Sequence, residues 1–278
     1  MRTIYLIEGL PGSGKTTLSR RLSAYLDTKN IQHKLFNEGD LHPVDLAWTA
    51  IFNESDYKKL LSKFDSIKAD ILNHSKNVDD TYYVAYTKVG VNEDTKDFYT
   101  YCKAYEIYIT DDLDHFFEAH LNLWHKFLKA YSNDQSSYIF ECIFLQNHIN
   151  ELILKHDLNQ EEMINYFQKF SDMFKDFEVK LFYINQIDVL SSIQKITDER
   201  RTDNKALYKD WIDLVIEYFE QTKYGKKKGY IGFEGAIKYF MDRKVLELEI
   251  IKHLKMDTYV INLDNDYDKV FNEMIKHI

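Results

Sequence analysis

The sequence predicts a three-layer α/β fold, in which a five-stranded parallel sheet has helices on both faces and a mostly helical insertion follows the second strand. Short apolar runs alternate with longer amphipathic segments, which is the pattern of a parallel sheet with crossover helices. A glycine-rich loop joins the first run to the first amphipathic segment. About 100 residues separate the second and third runs, far more than one crossover connection needs.

The strands are predicted from five short runs that are rich in β-branched or aromatic residues and bounded by polar or glycine-containing segments. These runs are Thr3–Glu8, Gln32–Asn37, Tyr138–Leu145, Val179–Asn185 and Thr258–Leu263. Each run is short and apolar, so we expect five buried strands in one parallel sheet.

The helices are predicted from apolar periodicity and from capping residues. Thr16–Leu26 has leucine at every fourth position, which gives an amphipathic helix directly after the first strand. Asn159 is followed three residues later by Glu162, a capping-box pattern that predicts a helix towards Phe174. Further helices are predicted over His115–Tyr131, Asp188–Arg201 and Asp210–Phe219.

The long segment between strands two and three must contain structure of its own. We treat residues 41–131 as an inserted, mostly helical subdomain of a single domain that spans 1–278. Within it, Asp80–Ile109 is rich in tyrosine and alternates imperfectly between apolar and polar residues. This pattern is consistent with either a β-hairpin or a pair of helices over this segment.

Composition excludes several classes of protein. With 278 residues, 45% of them hydrophobic, the chain can bury a full core, which excludes disordered and fibrous proteins. A net charge of −9 argues against broad binding of nucleic acid or anionic membranes. Two cysteines cannot form a disulfide framework and suit a reducing compartment. No run approaches the roughly 18 apolar residues of a membrane span, and no signal-peptide pattern is present.

We therefore expect a soluble, cytoplasmic protein that binds neither nucleic acid nor membranes. Its oligomeric state is left open by the sequence.

The strongest motif is the glycine-rich loop, which matches G-x-x-x-x-G-K-[ST] in full between an apolar strand and an amphipathic helix. Glycines let backbone N–H groups turn inward around phosphate oxygens, and the helix N-terminus adds partial positive charge. Lys15 can reach the β- and γ-phosphates, and the Thr16 hydroxyl can hold Mg²⁺. The predicted ATP-binding residues are Gly9, Leu10, Pro11, Gly12, Ser13, Gly14, Lys15, Thr16 and Thr17.

On this motif the chain resembles the P-loop NTPase superfamily, and within it the small-molecule and nucleotide kinases. The resemblance covers the core strands and the loop, and it covers the insertion poorly. It implies a P-loop kinase-like fold, with ATP and Mg²⁺ as cofactors and a small-molecule acceptor. In that superfamily the third strand usually carries a metal-side acid, which is matched here by Glu141 in place of the commoner aspartate. The alternative for Glu141 is a strand carboxylate paired with a nearby lysine.

A second candidate site follows strand two, in Glu38-Gly39-Asp40-Leu41-His42-Pro43. Ligands of open parallel sheets lie beyond the carboxyl ends of the strands, and kinases often use a carboxylate to orient and deprotonate a hydroxyl. Gluconate kinases carry a similar pattern one residue longer, and adenylylsulfate and nucleoside kinases also keep an acid here. We predict Asp40 as the acceptor-side acid, with Glu38 as second choice. The alternative is a solvated turn with an aspartate cap.

A lid is predicted after strand four, in a lid and loop region over residues 196–235. The resemblance implies that arginines there close over the phosphates, where phosphoryl transfer needs cations. Arg200 and Arg201 are the best candidates, with Lys205 behind them. Alternatively, they are cations that complement a helix C-terminus. The lysines of 226–228 are more typical of a solvated loop.

The predicted function is ATP-dependent transfer of the γ-phosphate to a small-molecule acceptor. The sequence does not distinguish among nucleosides, nucleotides, sugars and hydroxylated antibiotics as the acceptor. The alternative is an ATPase switch that couples hydrolysis to a protein partner. A GTPase is disfavoured because Asn185-Gln186-Ile187-Asp188 lacks the lysine of Asn-Lys-x-Asp. A third hypothesis is a binding module that has lost its chemistry.

Overall fold

A computed structural model describes residues 2–90, 95–203 and 209–278. The chain divides into a first unit, Met1–Leu35 with Gln135–Ile278, and a second unit, Phe36–Asp134. The strands are β1 Ile4–Glu8, β2 His33–Phe36, β3 Ala50–Asn53, β4 Ser75–Val78, β5 Thr81–Val84, β6 Ser137–Glu141, β7 Val179–Gln186 and β8 Asp257–Leu263. The α-helices are α1 Lys15–Thr28, α2 Glu54–Lys63, α3 Lys68–Asn73, α4 Thr95–Lys103, α5 Leu113–Tyr131, α6 Gln146–Leu154, α7 Gln160–Asp172, α8 Val189–Glu199, α9 Trp211–Gln221, α10 Lys223–Lys228, α11 Gly232–Ile251 and α12 Tyr267–Met274.

A parallel five-stranded sheet organises the first unit, with the strand order β2-β6-β1-β7-β8. The central strand β1 pairs in parallel with both β6 and β7, so Ile7 lies beside Glu141 and Glu8 beside Tyr183. The carboxyl ends of these three strands therefore meet at one edge of the sheet. The loop that begins at Gly9 follows the central strand at that edge.

Both faces of this sheet are buried at the central strands β1, β6 and β7. The edge strands β2 and β8, also predicted to be buried, are mostly half-buried or exposed, because each has a neighbouring strand on one side only. On one face, the leucines of α1 and residues of α12 pack against Tyr5, Ile7 and their neighbours in one hydrophobic cluster. On the other face, the alternating residues Ile4 and Leu6 are fully buried, and Tyr183 is hydrogen-bonded to α11. This is the three-layer, P-loop kinase-like α/β fold that the sequence predicts.

The third strand of the sheet is shorter than its apolar run suggests. β6 ends at Glu141, whereas the run predicts a strand to Leu145. Cys142 adopts a left-handed conformation with φ of 68°, and the backbone then turns into the buried helix α6. The residues after Glu141 are apolar because this turn is buried and not because the strand continues.

The lysine-rich stretch, which the sequence assigns to a loop, is helical. The Thr222 side chain accepts a hydrogen bond from the Gly225 N–H and starts α10, which ends at the left-handed Gly229. A β-carbon at Gly225 would lie 2.0 Å from the carbonyl oxygen of Phe219, so only glycine allows this close turn between α9 and α10. In the described ranges, no helix has the length and apolar content needed to cross a membrane.

The second unit combines a small antiparallel sheet, of order β3-β5-β4, with helices α2 to α5. β4 and β5 form a hairpin, and both turn residues, Asp79 and Asp80, have positive φ, as type I′ turns require. Of the two alternatives left open for Asp80–Ile109, the structure contains a part of each. A strand of the hairpin lies at its start, and α4 follows; residues 91–94 lie outside the described ranges.

A candidate nucleotide-binding site at the end of the central strand

The loop after β1 is built on glycines that no other residue could replace without strain. Gly9 and Gly14 have φ of +144° and +76°, a region that other L-residues rarely adopt. A β-carbon on Gly9 would lie 2.7 Å from the carbonyl oxygen of Ile184, and one on Gly14 would lie 2.1 Å from the ring of Tyr267. The loop is therefore held tightly between β7 on one side and the start of α12 on the other.

Lys15 curls back onto this loop from the first position of α1. Its side chain is buried, and its ammonium donates hydrogen bonds of 2.9 Å to the carbonyl oxygens of both Gly9 and Leu10. Charge-assisted bonds to an anion are stronger than bonds to neutral carbonyls. A phosphate bound in the loop would therefore compete well for this ammonium, beside the positive end of the α1 dipole.

Thr16 and Glu141, the two residues predicted to hold Mg²⁺, are brought together by the fold. The Thr16 hydroxyl donates a 2.5 Å hydrogen bond to Oε1 of Glu141, although the residues are 125 positions apart in the chain. Thr16 is exposed, whereas Glu141 is buried at the end of β6. A hydroxyl and a carboxylate are hard oxygen donors of the kind that Mg²⁺ prefers. The pair therefore fits the ion that the resemblance implies.

Glu8 is a buried residue of the site that sequence reasoning missed. It ends β1 directly before the loop, and its carboxylate accepts hydrogen bonds from the backbone N–H groups of Phe144, at 2.7 Å, and Gln146, at 3.2 Å. Burial raises the pKa of this carboxyl from 4.5 to about 7, against the opposing effect of these bonds and of the Lys15 charge. Glu8 thereby holds the turn that follows Glu141. An acid at the end of an otherwise apolar, buried strand was the available signal.

A buried ionic network lies beside Glu8 in the sheet. Tyr183, its neighbour on β7, donates a 2.6 Å hydrogen bond to Glu247, whose other oxygen accepts a 2.6 Å bond from Nε of Arg243. Both charged side chains are about 1% exposed. Removing one partner would leave the other charge buried and uncompensated, so we assign this network a structural role.

The tip of the loop is fastened to the end of β7 and to α8. Gln186 donates a hydrogen bond of 3.1 Å to the carbonyl oxygen of Pro11. A β-carbon on Gly12 would lie 3.2 Å from the carbonyl oxygen of Ser192 in α8. The Ser13 hydroxyl is buried in the loop without a hydrogen-bond partner among the described residues. The loop is thus preorganised by its surroundings and keeps an unsatisfied hydroxyl within it.

The two candidate lid arginines directly follow α8, the helix that packs on the loop. Arg200 places its guanidinium over the ring of Trp211, 5.4 Å from the centroid. Arg201 pairs at 2.6 Å with Asp198, one helical turn earlier. Both arginines are exposed, so these partners are exchangeable. Lys205 lies outside the described residues, and the lid role stays a prediction.

The two candidate acceptor-side acids, Glu38 and Asp40, belong to the second unit. Asp40 accepts a 2.9 Å hydrogen bond from the backbone N–H of Asn37 and pairs with Lys88 at 3.2 Å. Gly39 between the two acids has φ of +80°. The capped turn that was the alternative for this sequence is therefore present. It is compatible with a role of Asp40 in binding an acceptor, because its carboxylate is still partly exposed.

Comparison with known proteins gives matches among solved structures. No family model matches the chain, and no curated protein matches it. It is similar to a solved deoxyadenosine kinase from M. mycoides, described with products dCMP and a flexible dCDP bound. The match covers 99% of this chain and 97% of that chain, at 12% identity and a TM-score of 0.39.

Proposed function

We propose that this protein is an Mg²⁺- and ATP-dependent phosphotransferase that acts on a small molecule. The observation that carries the proposal is the 2.5 Å contact between Thr16 and Glu141. It joins a metal-compatible carboxylate to the phosphate loop in which Lys15 is buried. An adventitious glycine-rich turn would not need an acid from a neighbouring strand at this point.

The proposed reaction is an in-line transfer of the γ-phosphoryl group. The acceptor oxygen forms a bond to the γ-phosphorus, the bond from that phosphorus to the bridging oxygen breaks, and ADP leaves. The loop N–H groups and Lys15 hold the β- and γ-phosphates. Thr16 and Glu141 would hold Mg²⁺, which neutralises phosphate charge when bound. Asp40 would take the proton from the acceptor hydroxyl, with Glu38 as second choice, and Arg200 and Arg201 would close over the phosphates.

The decisive experiment is an ATP-to-ADP assay with Mg²⁺ across nucleosides, nucleotides, sugars and aminoglycosides. One class should stimulate turnover, and Lys15→Ala should abolish that stimulation. Lys29→Ala is the matched control, because Lys29 is an exposed lysine just beyond the other end of α1. If no small molecule stimulates turnover but a protein partner does, the phosphotransferase proposal is wrong and the ATPase switch takes its place. A protein that neither binds nor hydrolyses ATP would refute both.

The metal assignment has a separate test in the binding of ATP. Glu141→Gln keeps the shape of the side chain and removes its charge. We expect the affinity for Mg·ATP to fall by about tenfold or more while the affinity for ATP in EDTA changes by less than about twofold, because only the metal-bound complex uses the carboxylate. Equal losses in the two conditions would remove Glu141 from the metal site.

A further inference from the structure

The small sheet of the second unit has one face in the core and one face partly open. Side chains alternate between the faces of a strand. Phe52 and Val84 face the hydrophobic cluster formed with α2 and α4 and are buried. The next cross-strand row consists of Ile51, Tyr83 and Lys76, one residue from each strand. This row points to the opposite face and is only half-buried.

Helix α5 stands over the open face and leaves a cleft of about 440 Å³. Its contribution is a single stripe of His115, Ala119, Asn122, Leu123 and Lys126, which are spaced as i, i+4, i+7, i+8 and i+11 and therefore share one face of the helix. The short side chain of Ala119 leaves room at the middle of this stripe. The volume lies in the range of small-molecule pockets, about 300–1,000 Å³.

The interior of the cleft is apolar and aromatic. Leu46, Ile107 and Leu123 are buried members of one hydrophobic cluster, and they also line the cleft. Tyr83 and Tyr105 add ring surface to it. Flat apolar walls of this kind favour a planar ring system, because rings gain both buried area and stacking contacts.

The charges of the cleft favour an acidic group at one end. Lys126 lies on the rim and pairs at 2.8 Å with Asp79. Both partners are more than half exposed, so the pair contributes little and can be exchanged for a bound anion. Lys76, on the neighbouring strand, does not line the cleft: its ammonium donates a 2.6 Å hydrogen bond to the carbonyl oxygen of His42 and lies 5.3 Å from the centre of the Tyr83 ring. Lys126 is therefore the lysine that the lining of the cleft offers to an acidic group.

The acid in the lining, Glu106, lies in a different part of the cleft. Glu106 is bridged to Ala50, at the end of β3 away from the hairpin turn, whereas Lys126 pairs with Asp79 in that turn. The Glu106 carboxylate accepts a 2.6 Å hydrogen bond from the Tyr86 hydroxyl. His115, in the first turn of α5, is separated from Lys126 by eleven residues, or about 16 Å along the helix axis. The apolar middle therefore separates a cationic end from an end that is rich in hydrogen-bonding groups.

We propose that this cleft binds a planar aromatic molecule that carries an acidic group. The rings lie between Ile51 and Tyr83 on the sheet and Ala119 and Leu123 on α5, and the acidic group lies at Lys126. The cleft is formed entirely by residues of the second unit. The proposal therefore goes beyond the proposed phosphotransferase activity and does not depend on it.

Two fluorescent probes separate the ring contribution from the charge contribution. 1-Anilinonaphthalene-8-sulfonate carries the rings and an acidic group, and N-phenyl-1-naphthylamine has the same rings without the charge. Each is titrated into the full chain with saturating Mg·ATP present, so that the phosphate loop is occupied. We expect saturable binding of both at one site, with the sulfonate bound more tightly. Absence of saturable binding would overturn the proposal.

Ala119→Leu fills the middle of the cleft and should weaken both probes by about tenfold or more. Ala130→Leu is the matched control, since Ala130 is an exposed alanine of the same helix outside the cleft. It should leave both affinities within about twofold, and thermal unfolding of each variant confirms that α5 is intact. Unchanged affinity in Ala119→Leu would refute the position of the rings.

Lys126→Gln removes only an exposed charge, so this variant stays folded. It should weaken the sulfonate by about fivefold, as expected for a charge pair near 4 Å in water, and leave the uncharged probe unchanged. Lys129→Gln, an exposed lysine one turn later, should change neither. Asp79→Asn releases Lys126, keeps the left-handed turn, and should tighten the sulfonate by about twofold. Equal effects of Lys126→Gln on both probes would overturn the assignment of the acidic group.

Discussion

Replacing Gly14 by alanine adds one methyl group at the most crowded point of the glycine-rich loop. Gly14 has φ of +76°, and its new β-carbon would lie 2.1 Å from Cε1 of Tyr267. Ordinary contacts begin near 3.4 Å, so the ring would have to move by about 1.3 Å. Tyr267 is the first residue of α12. The displacement would therefore be transmitted to a helix that packs against α1.

The cost of this substitution has two separable parts. A non-glycine residue in the left-handed region costs about 1–2 kcal/mol. Forcing a group into a packed contact costs about 1–3 kcal/mol more. We therefore expect Gly14→Ala to lower the free energy of unfolding by about 3 kcal/mol. Gly229 isolates the first part, because its φ is +67° and nothing lies within 4 Å of its added β-carbon. Gly229→Ala should cost about 1–2 kcal/mol.

Urea unfolding of Gly14→Ala, Tyr267→Ala and the double variant measures the steric part directly. In the absence of the ring, the substitution Gly14→Ala should lower the free energy of unfolding by about 1–3 kcal/mol less. This difference is the coupling energy of the double-mutant cycle. A coupling below about 0.5 kcal/mol would refute the contact as the reason for glycine. A cost in Gly14→Ala no larger than that in Gly229→Ala would refute it as well.

Three further predictions concern charged groups. Burial raises the folded-state pKa of Glu8 from 4.5 to about 7. The contribution of the protonated carboxyl to the free energy of unfolding is therefore complete below about pH 4.5, and it is lost as the pH rises through 7. Glu8→Gln, which stays neutral, should therefore gain about 3 kcal/mol of unfolding free energy relative to the unsubstituted protein between pH 5 and 8. Asp40→Asn should lower kcat by about 100-fold and leave ATP affinity within about twofold, measured by steady-state kinetics and calorimetry. Arg200→Ala should lower kcat by about tenfold or more with little change in ATP affinity.

Each of these predictions has its own contradicting result. A stability difference between Glu8→Gln and the unsubstituted protein that is flat from pH 5 to 8 would show that Glu8 does not titrate there. Loss of ATP affinity with normal residual turnover would remove Asp40 as the acceptor-side acid. An unchanged kcat in Arg200→Ala would remove that residue from the lid. Lys195→Ala, an exposed cation earlier on α8, is the matched control for Arg200.

The elements that local rules govern were predicted well. The strand predicted over Val179–Asn185 is observed as Val179–Gln186. The capping box predicted at Asn159 is present with both of its hydrogen bonds, and the helix follows it. Strand composition, helical periodicity and caps act within a few residues of each other, so a linear pattern contains what is needed to recognise them.

The errors come from contacts that the composition of a segment does not show. β6 stops at Glu141 because the turn after it is bound by Glu8, more than 130 positions earlier. The lysine-rich stretch is helical because Gly225 packs against the backbone of Phe219 and Thr222 caps α10. In both cases the composition correctly indicated whether the segment is buried or exposed. Its backbone conformation, however, depended on the residues packed against it.

The sequence by itself determined the α/β class, the glycine-rich loop that leads into a helix at Lys15 and Thr16, and the presence of an acid at the end of the third strand, since these follow from periodicity and from one contiguous motif. Only the tertiary structure decided that Glu141 meets Thr16, that Glu8 is buried behind the loop, and that α5 leaves a cleft over the small sheet. These features join residues that are far apart in the chain. Their distances are set by strand order and helix packing, which no linear pattern records.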